Sequence, residues 1–181
     1  MANLVLRKDL GKFLYCSSLL EERVAKAYEH TAKLVEDKLI GCLLGFIASD
    51  SLKHAECFKM IYEWLSSNME VSFEVCKEVW GEIWKTLVMD AEKFLGKSAI
   101  STEELTSLIN GLVRFESFVT EEYLTVLHIK LVELMVDEAR INLDTFKTVF
   151  EWIIEDEKRH EQILKIIENI LTKRENKSTS L

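Results

Sequence analysis

Between Phe146 and Leu171 two adjacent heptad lines of apolar residues run side by side, and each is interrupted once. Phe146, Ile153, His160 and Ile167 form one line; Phe150, Glu157, Leu164 and Leu171 form the other. Residues seven apart share one face of an α-helix. The pattern therefore predicts a helix whose buried stripe carries a histidine and a glutamate three residues apart. Such groups are costly to bury unless something pairs with them. An inward-facing Glu-x-x-His unit is also how helical bundles hold paired metal ions.

The same periodicity organises the rest of the chain, and alternating strand patterns are absent. Proline is missing and glycine is scarce, so little interrupts long helices. A first helix is expected from about Asp9 to Val35, with Leu14, Glu21, Tyr28 and Val35 on one line. After Glu36-Asp37 a second runs to about Leu65, with Ile40, Ile47, His54 and Ile61 beside Leu44, Ser51, Phe58 and Leu65. Residues 66–101 read as a crossover with its own helix, seated by Val75, Val79, Ile83 and Leu87 and by the Trp80/Trp84 pair with Phe94. Ser101-Thr102-Glu103-Glu104 is a capping-box signal. It opens a third helix to about Val136, with Leu105, Leu112, Val119 and Val126 beside Ile109, Glu116 and Tyr123. After Asp137 to Asn142 a fourth helix reaches about Lys173. The polar tail from Glu175 to Leu181 reads as frayed. The length fits a single domain spanning 1–181.

The two halves mirror each other. Glu21 precedes Tyr28 by seven residues, as Glu116 precedes Tyr123, and Asp50-Ser51-Leu52-Lys53-His54 parallels Asp156-Glu157-Lys158-Arg159-His160. Two helical hairpins, each with an inward Glu and then an inward His, would bring these groups together at mid-height of a bundle. Carboxylate and imidazole together suit iron, manganese or zinc better than calcium or magnesium.

A net charge of −8 argues against a nucleic-acid or anionic-membrane partner. The apolar run Leu39 to Ala48 is too short to span a bilayer, and the N-terminus lacks a signal peptide's apolar core. Cys16, Cys42, Cys57 and Cys76 are widely spaced, with no Cys-x-x-Cys unit. They read as buried reduced thiols of a cytoplasmic protein. The apolar stretch Leu39 to Ile47 is wider than one seam requires, and predicts packing against the crossover helix or a second subunit in a homodimer.

With these residues in view, the chain resembles the ferritin-like superfamily, within it the rubrerythrin-related (erythrin-like) branch, but without a rubredoxin domain. The resemblance implies an all-α, ferritin-like four-helix bundle with a long helical crossover between helices two and three. It implies a di-iron carboxylate site in which Glu21 and His54 hold one ion, Glu116 and His160 the other, and Glu157 bridges both. It further implies hydrogen bonds from His54 to Asp156 and from His160 to Asp50, which would fix each imidazole tautomer; the alternative is that both aspartates simply face water. Tyr28 and Tyr123 sit where their hydroxyls would reach ligand carboxylates of the facing hairpin, or would serve simply as core tyrosines. The family pattern expects a second bridging glutamate where this chain has Ser51. Three carboxylates leave two divalent ions with a net positive charge, to be met by a hydroxide, an oxide or Asp50, or by holding a single ion.

The resemblance carries three functional readings. One is an oxidoreductase reducing peroxide or dioxygen, its electrons coming from a separate donor. Another is iron storage. The third is a metal-poor structural bundle in which Ser51 has replaced the bridging ligand and the buried pairs only fix helix register. His30 and His128 fall off the matched positions and read as non-ligands. The charged run from Glu168 to Lys177 reads as a solvated face.

Overall fold

The computed structural model describes residues 2–65, 72–118 and 144–178. Five helices account for nearly all of them: α1 (Ala2–Leu34), α2 (Lys38–Leu65), α3 (Phe73–Leu95), α4 (Thr102–Phe118) and α5 (Asp144–Ser178). Among the described residues there is no strand. α1 lies along α2 and α3, α4 along α5, and α2 and α5 join the two pairs.

α1 and α2 form a hairpin closed by three residues. Asp37 ends the connection as an N-cap, its Oδ1 accepting from the backbone N–H of Leu39 at 2.7 Å and of Ile40 at 3.0 Å. This satisfies donors that the first helical turn leaves without partners. The other Asp37 oxygen receives Arg174 and so ties the hairpin turn to the far end of α5. Gly41 lets the two helices approach closely: a Cβ there would stand 2.9 Å from the carbonyl oxygen of Ala32. All eight seam residues expected in α2 are buried, as are Leu14, Glu21 and Tyr28 of α1.

α3 closes one side of α1. Its Trp84 is buried, meets Phe73 edge-to-face, and donates its indole N–H to the Cys16 carbonyl at 3.4 Å. Trp80 meets Phe13 edge-to-face at 4.7 Å between ring centroids. The helical phase changes at Gly81, whose φ of 69° and ψ of −156° leave the helical region. Only glycine adopts such a conformation readily. Among the described side chains of α3, Cys76, Trp84, Val88 and Ala91 are buried, while Val75 and Val79, expected on the core stripe, are half-buried; Ile83 and Leu87 lie outside the described side chains.

A disulfide joins Cys16 of α1 to Cys76 of α3. It overturns the reading of these two cysteines as reduced thiols, and with it the thiol argument for a cytoplasmic setting. The partners are 60 residues apart, and only the packing of two helix faces brings them together. Of the other two, Cys42 is exposed and Cys57 half-buried, so neither is a core thiol. No helix among the described residues is long and apolar enough to cross a membrane.

The capping box at α4 forms as its spacing implies: Ser101 N–H donates to Glu104 at 3.0 Å, and Glu104 N–H to Ser101 Oγ at 3.2 Å. The expected remainder of that helix, with Val119, Tyr123, Val126 and His128, lies outside the described residues. Two ends differ from expectation. α1 begins at Ala2 rather than near Asp9, and α5 continues to Ser178 through part of the supposed tail. Neither added stretch contains glycine or proline, so no helix-stop signal is present there.

The outer face of α2 is apolar and open. Leu39, Phe46, Met60 and Trp64 are all exposed, so α3 does not cover the stretch that was expected to pack on it.

A crosslink closing a 60-residue loop contributes about 4 kcal/mol in the chain-entropy account, and about 2–4 kcal/mol in typical measurement. Cys76→Ser is therefore expected to lower unfolding free energy by about 2–4 kcal/mol, read from urea titration under non-reducing conditions. A change below about 0.5 kcal/mol would mean that α3 is not held to α1 by this bond.

Candidate metal centre

Burying ionisable side chains in an apolar seam requires that they meet one another, and four helices bring five of them together. Glu21 comes from α1, His54 from α2, Glu116 from α4, and Glu157 and His160 from α5; all are at most 3% exposed. Their ligand atoms fall into two overlapping groups, Glu21–His54–Glu157 and Glu116–Glu157–His160. Within each group these atoms lie no more than 4.8 Å apart.

Glu157 belongs to both groups, one oxygen to each side. Its Oε1 stands 2.8 Å from His54 Nδ1 and its Oε2 stands 3.5 Å from His160 Nδ1. His160 Nδ1 is also 3.8 Å from Glu116 Oε2. The imidazole rings face each other, 5.7 Å between centroids and 30° between planes. Both histidines therefore present Nδ1 to the shared carboxylate and turn Nε2 away.

The outward nitrogens meet the two aspartates that the repeat singles out. His54 Nε2 donates to Asp156 Oδ2 at 3.2 Å. His160 Nε2 lies 3.6 Å from Asp50 Oδ2, close enough for an ion pair but too far for a hydrogen bond. A basic residue three positions along holds each aspartate: Lys53 donates to Asp50 at 2.8 Å, and Arg159 pairs with Asp156 at 2.7 Å. Sequence reasoning missed these cations, although Asp-x-x-Lys and Asp-x-x-Arg stand at matching places in the two halves.

Tyr28 reaches across from α1 to donate its hydroxyl to Glu116 Oε1 at 2.6 Å. Ser51, at the position of the expected second bridging glutamate, is buried and hydrogen-bonds Glu21 instead. His30 is elsewhere, 2.7 Å from the Lys97 carbonyl. Tyr123 and His128 lie outside the described residues.

Electrostatically the metal-free centre stores protons. Burial, with the neighbouring Glu157 charge, pushes Glu21 up to about 8. Burial and Glu157 also push Glu116 well above the ordinary carboxylate range. Burial opposes ionisation of Glu157 too, but the polar groups of Glu116, His160 and His54 around it outweigh that and hold its carboxyl below its usual value. Burial would lower both histidines. The carboxylates around them prevail, raising His54 above its ordinary value and His160 to about 11. Tyr28 is pushed well above 10 by burial and by Glu116.

Four polar atoms here make no hydrogen bond to any described group: His54 Nδ1, Glu157 Oε1, and both ring nitrogens of His160. The 2.8 Å approach of His54 Nδ1 to Glu157 Oε1 is short but out of line for a hydrogen bond. Buried donors and acceptors are nearly always satisfied, and exceptions call for a missing partner. Nitrogen and oxygen lone pairs directed at a common space suit a transition-metal cation. The residue set therefore fits one ion beside His54 and Glu21 and one beside His160 and Glu116.

No protein-family model, curated protein or solved structure matches the chain.

Metal ligation requires deprotonated carboxylates and neutral imidazoles. The raised Glu21 and His160 both tie the metal-free fold to protonation. For Glu21 the stabilising effect of the bound proton is complete below 4.5 and lost as pH rises through about 8. For His160 it is complete below 6.5 and lost through about 11. Zinc or manganese added at pH 7 should thus release about two or more protons per chain, seen in weakly buffered solution. Apparent affinity should rise by about one to two orders of magnitude per pH unit between pH 6 and 8. Binding without proton release would place the ion elsewhere.

Proposed function

We propose that this chain is a ferritin-like di-metal protein that binds two iron ions and uses them to reduce peroxide or dioxygen. The observation that carries the reading is Glu157, one buried carboxylate whose two oxygens serve two separate groups of ligand atoms. In this reading Glu21 and His54 hold one ion, Glu116 and His160 the other, and Glu157 bridges. Manganese or zinc suits the same donors, and cellular supply then decides among them.

Bound reduced iron would supply two electrons, the number that takes hydrogen peroxide to two waters with two protons. The chain's own part is to place and tune. Asp156 and Asp50 orient the imidazoles through Nε2 and leave Nδ1 for the ion. Tyr28 holds Glu116 in position. Ser51 steadies Glu21 while contributing no charge, so the three carboxylates leave two divalent ions with room and charge for an exogenous anion. With no Cys-x-x-Cys unit in the sequence, electrons return from a separate donor. The exposed apolar face of α2 supports a homodimer.

Ser51 also favours a second reading, a metal-poor bundle in which the buried pairs only fix helix register. Metal analysis separates the two. Protein loaded anaerobically with ferrous iron and desalted should retain about two ions per chain, and Glu157→Ala should retain fewer than about one. One equivalent of peroxide should then oxidise both ions of the wild-type protein. No retained metal, or retention unchanged in Glu157→Ala, would leave the structural reading. A particle no larger than a dimer by light scattering would exclude a mineral-storing shell.

Asp50→Asn and Asp156→Asn, each acting only through a histidine, should weaken metal affinity by about 10–100-fold without changing the stoichiometry. Unchanged affinity in a competition titration would remove their orienting role.

A further inference from the structure

A cavity of about 200 Å³ opens between α1, α3 and α4, lined in part by Tyr28, whose hydroxyl donates to Glu116. Val24, Ala27, Leu108 and Leu112 give it an apolar interior, and the exposed Lys93 stands at its margin. Lys93 is the only charged residue among those lining it. Thr31 and Ser107 add hydroxyls. Sites for drug-sized ligands run to about 300–1,000 Å³, so this one suits a smaller molecule.

Gly111 also lines the cavity. It sits inside α4, where glycine weakens a helix by about 1 kcal/mol relative to alanine. Its φ is not positive, so no backbone conformation demands glycine there. A Cβ at this position would meet no atom within 4 Å, so no neighbouring helix demands it either. A Cβ there would enter open space at the cavity's lining, so a longer side chain can be introduced without a clash.

We propose that the cavity binds a medium-chain monocarboxylate, with its alkyl chain against Val24, Ala27, Leu108 and Leu112 and its carboxylate at Lys93. The single cation at the rim of an apolar recess selects a molecule with one anionic end and an uninterrupted hydrocarbon body. Tyr28 is at once a wall of this cavity and the hydroxyl donor to Glu116, so the bound chain would lie one side chain from the carboxylate cluster. The site does not depend on whether metal is bound.

Isothermal titration of the metal-free full chain with octanoate tests this directly. Saturable one-to-one binding is expected, tightening about fourfold for each methylene from hexanoate to octanoate. Gly111→Leu should abolish it by filling the recess, while Gly45→Ala, a helical glycine away from the cavity, should leave it unchanged. Lys93→Gln, at an exposed position, should weaken octanoate at least fivefold and leave 1-octanol unaffected. No saturable binding below about 1 mM, equal binding by wild type and Gly111→Leu, or octanol binding as tightly as octanoate would each overturn the proposal. Because no metal is present, these outcomes are independent of those that decide the di-metal reading.

Discussion

Glu157 lies in the middle of a bundle core with an imidazole on either side, and the rest of the centre answers to that placement. An ionised carboxylate removed from water needs strong partners. His54 and His160 supply them from opposite helices, and Glu116 and Glu21 remain protonated in response. The arrangement is self-consistent without metal because protons occupy the places that cations would take. A cation entering such a centre would have to displace protons, which would link its affinity to the fold through the same side chains.

Holding that geometry is the task of the surrounding helices. Each ligand-bearing helix buries apolar residues a turn or two on either side of its polar group: Phe150 and Leu164 around Glu157, Ile47 and Ile61 around His54. These residues set the depth and rotation at which the polar groups meet. α3 reinforces α1 through the Cys16–Cys76 bond and through Trp84, both anchored at Cys16 on the Glu21 helix. The Asp37 cap and its Arg174 partner fix the opposite end.

Much of this was legible in the sequence because helices convert spacing directly into faces. The heptad lines named the buried stripes of α2 and α5, with only Phe146 half-buried, and their polar interruptions are the residues that meet. Which aspartate faces which histidine was implied by the family resemblance rather than by spacing alone; Asp156 does hydrogen-bond His54, while Asp50 approaches His160 only to 3.6 Å. The Tyr28 hydroxyl reaches a carboxylate of the other half, one of the two roles its position allowed. What spacing could not show depended on contacts between distant faces or on backbone geometry. The Cys16–Cys76 bond requires knowing how α3 rotates on α1. The break in α3 at Gly81 is a backbone conformation that residue spacing does not encode. The helix through Glu175 to Ser178 looked like a tail because its residues are polar, yet polarity alone does not end a helix. Ser51 was noticed as a missing ligand, but its hydrogen bond to Glu21 emerged only in three dimensions.

The central claim concerns where cations sit relative to one carboxylate, and anomalous diffraction from crystals grown with ferrous iron or manganese addresses it most directly. Two peaks are expected on either side of Glu157, one within about 2.0–2.3 Å of His54 Nδ1 and the other equally close to His160 Nδ1. Peaks confined to surface carboxylates, with the Glu157 cluster unchanged and metal-free, would contradict the account.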